Sequence, residues 1–294
     1  MGRFDFSGLW VPLVTPFRGG RIDEAALRRL VHHLGEQGVR GFVVCGSTGE
    51  AASLSHAEQL AVLDAVLSEC RGRPVLMGLA GTQLDEMLGR LRDITQRAVA
   101  GVLISAPYYL RPSQAGLVAH FQALADASTV PVVLYDVPSR TGVAMTLPTL
   151  LELAAHENIQ AIKDCGGDAE QTRALIANGR LAVLAGDDDN IFATLCMGGA
   201  GAIAASAHLL PEHFVAMVSA LKADRLADAR RLYHALTPLT HALFAEPNPS
   251  VFKAVLAKEG WMLNELRAPH TLATPEGTHR ALAALADAQR RLGG

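Results

Sequence analysis

Ile159-Gln160-Ala161-Ile162-Lys163-Asp164-Cys165-Gly166-Gly167 is the stretch on which the reading of the fold turns. Its apolar run has the length of a strand, does not alternate with polar residues and stops at a glycine pair. That is the pattern of a strand buried on both faces. Seven further runs of the same kind lie on either side of it: Leu9 to Thr15, Gly41 to Cys45, Val75 to Gly78, Val102 to Ser105, Val132 to Tyr135, Leu181 to Ala185 and Gly201 to Ala205. Segments of helical period separate them, and their starts are marked. Asp23 precedes the stripe Leu27, Leu30, Val31 and Leu34, and Ser55 with Glu58 makes a capping box ahead of Leu60, Leu63 and Leu67. Buried strands alternating with helices predict an α/β fold with a parallel sheet covered by helices. A count of eight favours a closed (β/α)8 TIM barrel over an open, doubly wound sheet. The barrel is expected over residues 1–208. Past Leu209 only helical patterns remain, at about 209–222, 225–245, 250–260 and 275–292, read as a C-terminal helical extension over 209–294 packed on the barrel.

Composition narrows the functional classes. Half of the 294 residues are hydrophobic, and a net charge of -3 gives no reason to expect nucleic acid or an anionic membrane as partner. Cys45, Cys70, Cys165 and Cys196 are scattered, with no C-x-x-C pair and no histidine at ligand spacing, so no metal site is expected and the cysteines read as reduced thiols of a cytoplasmic protein. The start, Met1-Gly2-Arg3-Phe4-Asp5, lacks the apolar core of a signal peptide, and no apolar stretch approaches membrane-spanning length.

Lys163 is one of only four lysines among 26 basic residues, and the other three lie in the last third of the chain. A primary amine at the mouth of a buried strand suits imine chemistry on a 2-oxo acid, which arginine cannot perform. An exposed lysine where strand gives way to loop is the plainer reading of that segment alone. Functional groups of a barrel gather just past the carboxyl ends of its strands. Four segments fall there. Gly46-Ser47-Thr48-Gly49-Glu50 follows the second strand, with two adjacent hydroxyls and glycine-flanked amides suited to a small carboxylate; it lacks the lysine of a nucleotide-binding loop. Ala106-Pro107-Tyr108-Tyr109 follows the fourth strand and Tyr135 ends the fifth, placing three of the four tyrosines at one rim. Asp136-Val137-Pro138-Ser139-Arg140-Thr141-Gly142 offers Arg140 as a bidentate partner for a carboxylate, or as a solvated side chain. Gly186-Asp187-Asp188-Asp189 follows the seventh strand, and its acids suggest a metal or, more simply, a cap on the next helix. The small residues from Gly198 to Ile203 let backbone approach a ligand. Cys165 reads as a nucleophile or as a small filler at a strand end.

Taken in order, these segments resemble the dihydrodipicolinate synthase and N-acetylneuraminate lyase family of class I aldolases, from Val14-Thr15-Pro16 through the Gly46 loop, Pro107-Tyr108-Tyr109 and the Lys163 strand to the carboxyl-terminal helices. Tyr135, Val137 to Gly142 and Glu246-Pro247-Asn248-Pro249 look like the synthase branch. The resemblance implies that Lys163, its amine partly neutral through desolvation, forms a Schiff base with pyruvate. Tyr135 would relay protons through Ser47 and Tyr109, the latter from a neighbouring subunit. Thr48 and the Ile203 backbone would hold pyruvate, with Gly186 among the substrate-binding residues, and Arg140 would receive the carboxylate of aspartate semialdehyde. It implies no cofactor, a homodimer as minimum unit and usually a tetramer. A paralogue using the same imine on another aldehyde or 2-keto-3-deoxy sugar acid, and a silent ligand-binding member of the fold, are the competing readings.

Several residues depart from the family pattern. Ser47 stands for threonine and Asp136 for a common asparagine; Asp-Cys-Gly-Gly-Asp follows Lys163 where Glu-Ala-Thr-Gly-Asp is typical; and Gly78-Leu79-Ala80-Gly81-Thr82 replaces Gly-Thr-Gly-x-Asn. His56, Glu86 and Tyr108 match the site at which feedback-inhibited relatives bind lysine, but Ala51, Gln59 and Thr82 do not, so weak or absent lysine inhibition is expected.

Overall fold

The computed structural model describes residues 2–293. The strands are β1 (Gly8–Pro12), the short β2 (Phe17–Arg18) and β3 (Arg21–Ile22), β4 (Gly41–Val44), β5 (Val75–Leu79), β6 (Gly101–Ser105), β7 (Val132–Asp136), β8 (Ile159–Asp164), β9 (Ala182–Ala185) and β10 (Gly201–Ile203). Eight of them close into a barrel in the order β1-β10-β9-β8-β7-β6-β5-β4, and the ladders within it are parallel. β4 to β8 are buried at every position, which is why their sequences carry no polar alternation.

The helices are α1 (Glu24–Glu36), α2 (His56–Glu69), α3 (Leu84–Thr95), α4 (Gln114–Ala127), α5 (Pro138–Thr141), α6 (Leu147–Leu153), α7 (Ala169–Asn178), α8 (Ile191–Cys196), α9 (Pro211–Lys222), α10 (Leu226–Leu243), α11 (Ser250–Lys258) and α12 (Pro275–Leu292). The expected caps form. Asp23 Oδ1 accepts from the Ala26 amide, and Ser55 and Glu58 make the reciprocal capping box on α2. The sequence reading passed over the β2–β3 hairpin. Its turn is Gly19-Gly20, with φ of 58° and 76°, the left-handed pair that a two-residue hairpin demands.

Among the described residues the chain divides into two compact units, one made of the residues up to Ser7 with Pro74–Ile203 and the other of Gly8–Arg73 with the residues from Ala204 onward. In the second unit α9 packs on β1, and α10 lies against α9 and α12. No helix among the described residues is long and apolar enough to cross a membrane.

Candidate active site

The register of β7 against β8 pairs Tyr135 with Lys163 and Asp136 with Asp164. Side chains alternate along a strand, so the paired tyrosine and lysine leave the sheet on one face and the two aspartates on the other. Lys163 is buried, and its Nζ lies 4.4 Å from the centroid of the Tyr135 ring, with a hydrogen bond to the same side chain. Burial alone would depress the pKa of this amine. Tyr135, Cys165 and Asp188 act in the opposite sense to burial, and the net direction is upward. Desolvation thus acts in the expected sense, but the neighbouring groups oppose it and the net direction is upward.

Those neighbours explain the glycine after β9. A β-carbon on Gly186 would stand 2.8 Å from Lys163 Cγ and closer still to Cys165 Sγ, so glycine is what lets the lysine stem and the thiol share this space. Burial, opposed by Lys163 and reinforced by Asp187, pushes the Cys165 thiol far up. It stays protonated, which favours the filler over the nucleophile. The three acids differ from the expected capping role. Asp187 makes no side-chain cap bond on the 3-10 turn Asp188–Asn190, and α8 starts behind Asn190 without one either. Asp187 instead hydrogen-bonds with Cys165; burial raises its pKa, while Cys165 and Lys163 pull it back. Among the described residues no group of three or more His, Cys, Asp or Glu is arranged to hold a metal ion.

The Gly46 loop is a 3-10 turn over Ser47–Gly49. Its amides are less available than the sequence suggested, because Gly49 N–H donates to the Gly46 carbonyl and Glu50 N–H to the Ser47 carbonyl. Its hydroxyl is better prepared. Asn248 Nδ2 donates to Thr48 Oγ1 at 3.0 Å, so Thr48 accepts from the amide and keeps its own proton to give to a ligand. Thr48 is buried, and Ser47 is half-buried. Sequence reasoning noted the Glu246–Pro249 motif without assigning Asn248 a role, because a contact spanning 200 residues leaves no local signal.

Arg140 sits in α5, just past β7; its backbone N–H donates to the Val137 carbonyl, while its side chain is exposed and has no hydrogen bond or ion pair among the described residues. Pro138 starts that turn and Gly142, at φ 76°, ends it; a β-carbon on Gly142 would stand 2.9 Å from Arg111 Nε, so the loop is shaped by close packing on Arg111. Tyr109, in the loop after β6, has φ 70° and is 90% exposed. Ile203 ends β10 and is fully buried. The glycines before it serve packing, since a β-carbon on Gly199 would press on Thr194. The structure thus joins Lys163 with Tyr135, places Gly186 against the Lys163 stem, and leaves Tyr109 and Arg140 facing outward. All the sequence-predicted site residues lie at or just past carboxyl ends of barrel strands, where such a fold carries its chemistry.

Known proteins are similar to this chain along most of its length. The family model for the dihydrodipicolinate synthetase family matches residues 5–288. The 4-hydroxy-tetrahydrodipicolinate synthase of Pelobacter propionicus is 39% identical over 267 residues, spanning 90% of this chain and 92% of that one. The protein of the same name from Methanosarcina mazei is 38% identical over 268 residues, again 90% and 92%. Among solved structures, the 4-hydroxy-tetrahydrodipicolinate synthase of Methylacidiphilum fumariolicum superposes with a TM-score of 0.95 at 32% identity, covering 98% of this chain and 97% of that one. A monomeric dihydrodipicolinate synthase variant gives 0.94 at 30%, covering 96% and 97%. With a family model matching almost its whole length and relatives well above 30% identity, the chain belongs to the dihydrodipicolinate synthetase family.

Proposed function

We propose that the protein condenses pyruvate with L-aspartate 4-semialdehyde to give 4-hydroxy-tetrahydrodipicolinate, a step of lysine and diaminopimelate biosynthesis. The observation that carries the reading is the buried Lys163 amine over the Tyr135 ring, at the strand end where the family holds its Schiff-base lysine. Only the neutral amine can attack a ketone, so an ammonium must first lose its proton. Tyr135 is the hydrogen-bonded group in place to take part in that transfer, through Ser47 and a partner subunit's copy of Tyr109. The free amine adds to C2 of pyruvate, and loss of water gives the imine. Removal of a proton from C3 then gives the enamine. Its carbon attacks the aldehyde of aspartate semialdehyde, and the amine of that substrate closes the ring on C2 and releases Lys163.

The other residues bind and orient. Thr48, its oxygen already bonded by Asn248, donates to the pyruvate carboxylate, and the Ile203 backbone and Gly186 also serve substrate binding. Arg140 receives the carboxylate of the aldehyde; its exposed guanidinium, unpaired among the described residues, supports this, since an arginine already paired would have to break that pair to bind. The 90% exposure of Tyr109 on a left-handed loop residue supports its use by a neighbouring copy, and hence a homodimer, with a tetramer as the usual assembly. The four free cysteines agree with a cytoplasmic location. Arg140→Ala tests the acceptor assignment. It should raise KM for aspartate semialdehyde at least tenfold and leave the Lys163–pyruvate adduct intact, whereas an unchanged KM would refute it.

A further inference from the structure

Glu50 closes the Gly46 loop, and its carboxylate is fully buried together with the Lys253 ammonium. Lys253, on α11, donates to Glu50 Oε1 at 2.5 Å, and the backbone amide of Arg267 donates to Oε2 at 3.0 Å. The charges are further held over Phe17, with Lys253 Nζ 4.2 Å and the Arg267 guanidinium 4.7 Å from the ring centroid. Such a pair is a poor way to gain stability, because desolvating both ions offsets most of their attraction and an uncharged substitute is often as stable.

Its geometric effect is larger. Glu50 has φ 53° and ψ 36°, a left-handed conformation that a residue with a side chain adopts only at a steric cost. In that conformation its N–H closes the turn on the Ser47 carbonyl, while its own carbonyl accepts from Ser53. Fixing the carboxylate therefore fixes the turn that carries Ser47 and Thr48. The same short stretch of chain holds the turn twice, at Thr48 through Asn248 and at Glu50 through Lys253.

We propose that the buried Glu50–Lys253 pair is a positioning device for the pyruvate half-reaction, setting the Ser47–Thr48 turn from behind without touching substrate. The proposal rests on the reading that this turn receives pyruvate. Glu50→Gln, Lys253→Met and the double variant are compared with Thr48→Ala, using KM for each substrate, the pyruvate concentration needed for half-maximal borohydride trapping, and Tm. Either single variant leaves a buried group without its partner, so Tm falls. The double variant leaves no unpaired charge and recovers Tm to within a few degrees. All three should raise the pyruvate requirement about tenfold or more, with KM for aspartate semialdehyde changed less than about twofold. A double variant with recovered Tm and wild-type pyruvate requirement, beside a raised one in Thr48→Ala, would overturn the positioning role alone. An unchanged requirement in Thr48→Ala would overturn the underlying reading of the turn. Equal rises in both substrates' KM would also sink the proposal, since they would point to a general loosening of the fold.

Discussion

Asp136→Asn should stabilise the protein, and by an amount that depends on pH. Asp136 is buried; its Oδ1 accepts from the Met145 amide at 3.2 Å, and its Oδ2 has no partner. The Asp164 carboxylate lies beside it, both within 3.3 Å of where a β-carbon on Gly166 would stand. Burial, helped by Asp164 and opposed by the Met145 bond, lifts the pKa from 3.8 to about 6. Between those values the folded chain holds a proton that the unfolded chain has lost, so stability falls as pH rises, by ~1.36 kcal/mol per unit. The loss is nearly absent below pH 3.8, reaches ~1.6 kcal/mol at pH 5 and levels off at ~3 kcal/mol above pH 6. Asparagine keeps the acceptor for Met145 and never ionises. Urea unfolding at fixed protein concentration, extrapolated linearly, should therefore show the variant ~1.6 kcal/mol more stable at pH 5 and ~3 kcal/mol more stable at pH 8. A difference that does not grow between those pH values, or a variant less stable at pH 8, would refute the reasoning.

Other expectations follow from the same geometry. Tyr135→Phe keeps the ring beneath the Lys163 amine and removes the proton carrier, so kcat should fall ~10²- to 10⁴-fold while Tm moves little; a loss below tenfold would remove Tyr135 from the relay. His208 is buried as the neutral imidazole, donating from Nδ1 to the Ala205 carbonyl and accepting at Nε2 from the Val14 amide, and burial lowers its pKa to about 4. Its folded value lies below the unfolded one, so ~3 kcal/mol of stability present above pH 6.5 is lost as pH falls through 4, and His208→Gln should flatten that acid limb in urea titrations. With Ala51, Gln59 and Thr82 in place of the usual polar groups, millimolar lysine should leave turnover nearly unchanged, and strong suppression in a steady-state assay would contradict this.

Much of the fold is legible in the sequence because the barrel strands are buried on both faces. Runs such as Val132 to Tyr135 cannot be placed at a half-exposed edge, and the caps at Asp23 and Ser55 mark where helices begin. Lys163, Tyr135, Thr48 and Arg140 stand out because each ends a strand or opens the loop after it. What escaped the sequence depends on contacts far apart in the chain. Asn248 on Thr48 and Lys253 on Glu50 join residues about 200 apart, and no local pattern distinguishes a buried lysine on α11 from a solvated one. The direction of the Lys163 pKa shift also escaped, because burial acts one way and the neighbours Tyr135, Cys165 and Asp188 the other. The β2–β3 hairpin did carry a local sign, the Gly19-Gly20 turn, but two-residue strands are too short for periodicity to report.

If Lys163 forms an imine with pyruvate, borohydride reduction in the presence of pyruvate, followed by intact mass and peptide mapping, will trap it. One reduced pyruvate adduct per chain is expected, on Lys163 and absent from Lys163→Ala. A folded protein that gains no adduct, or gains it on Lys222, Lys253 or Lys258, would contradict it.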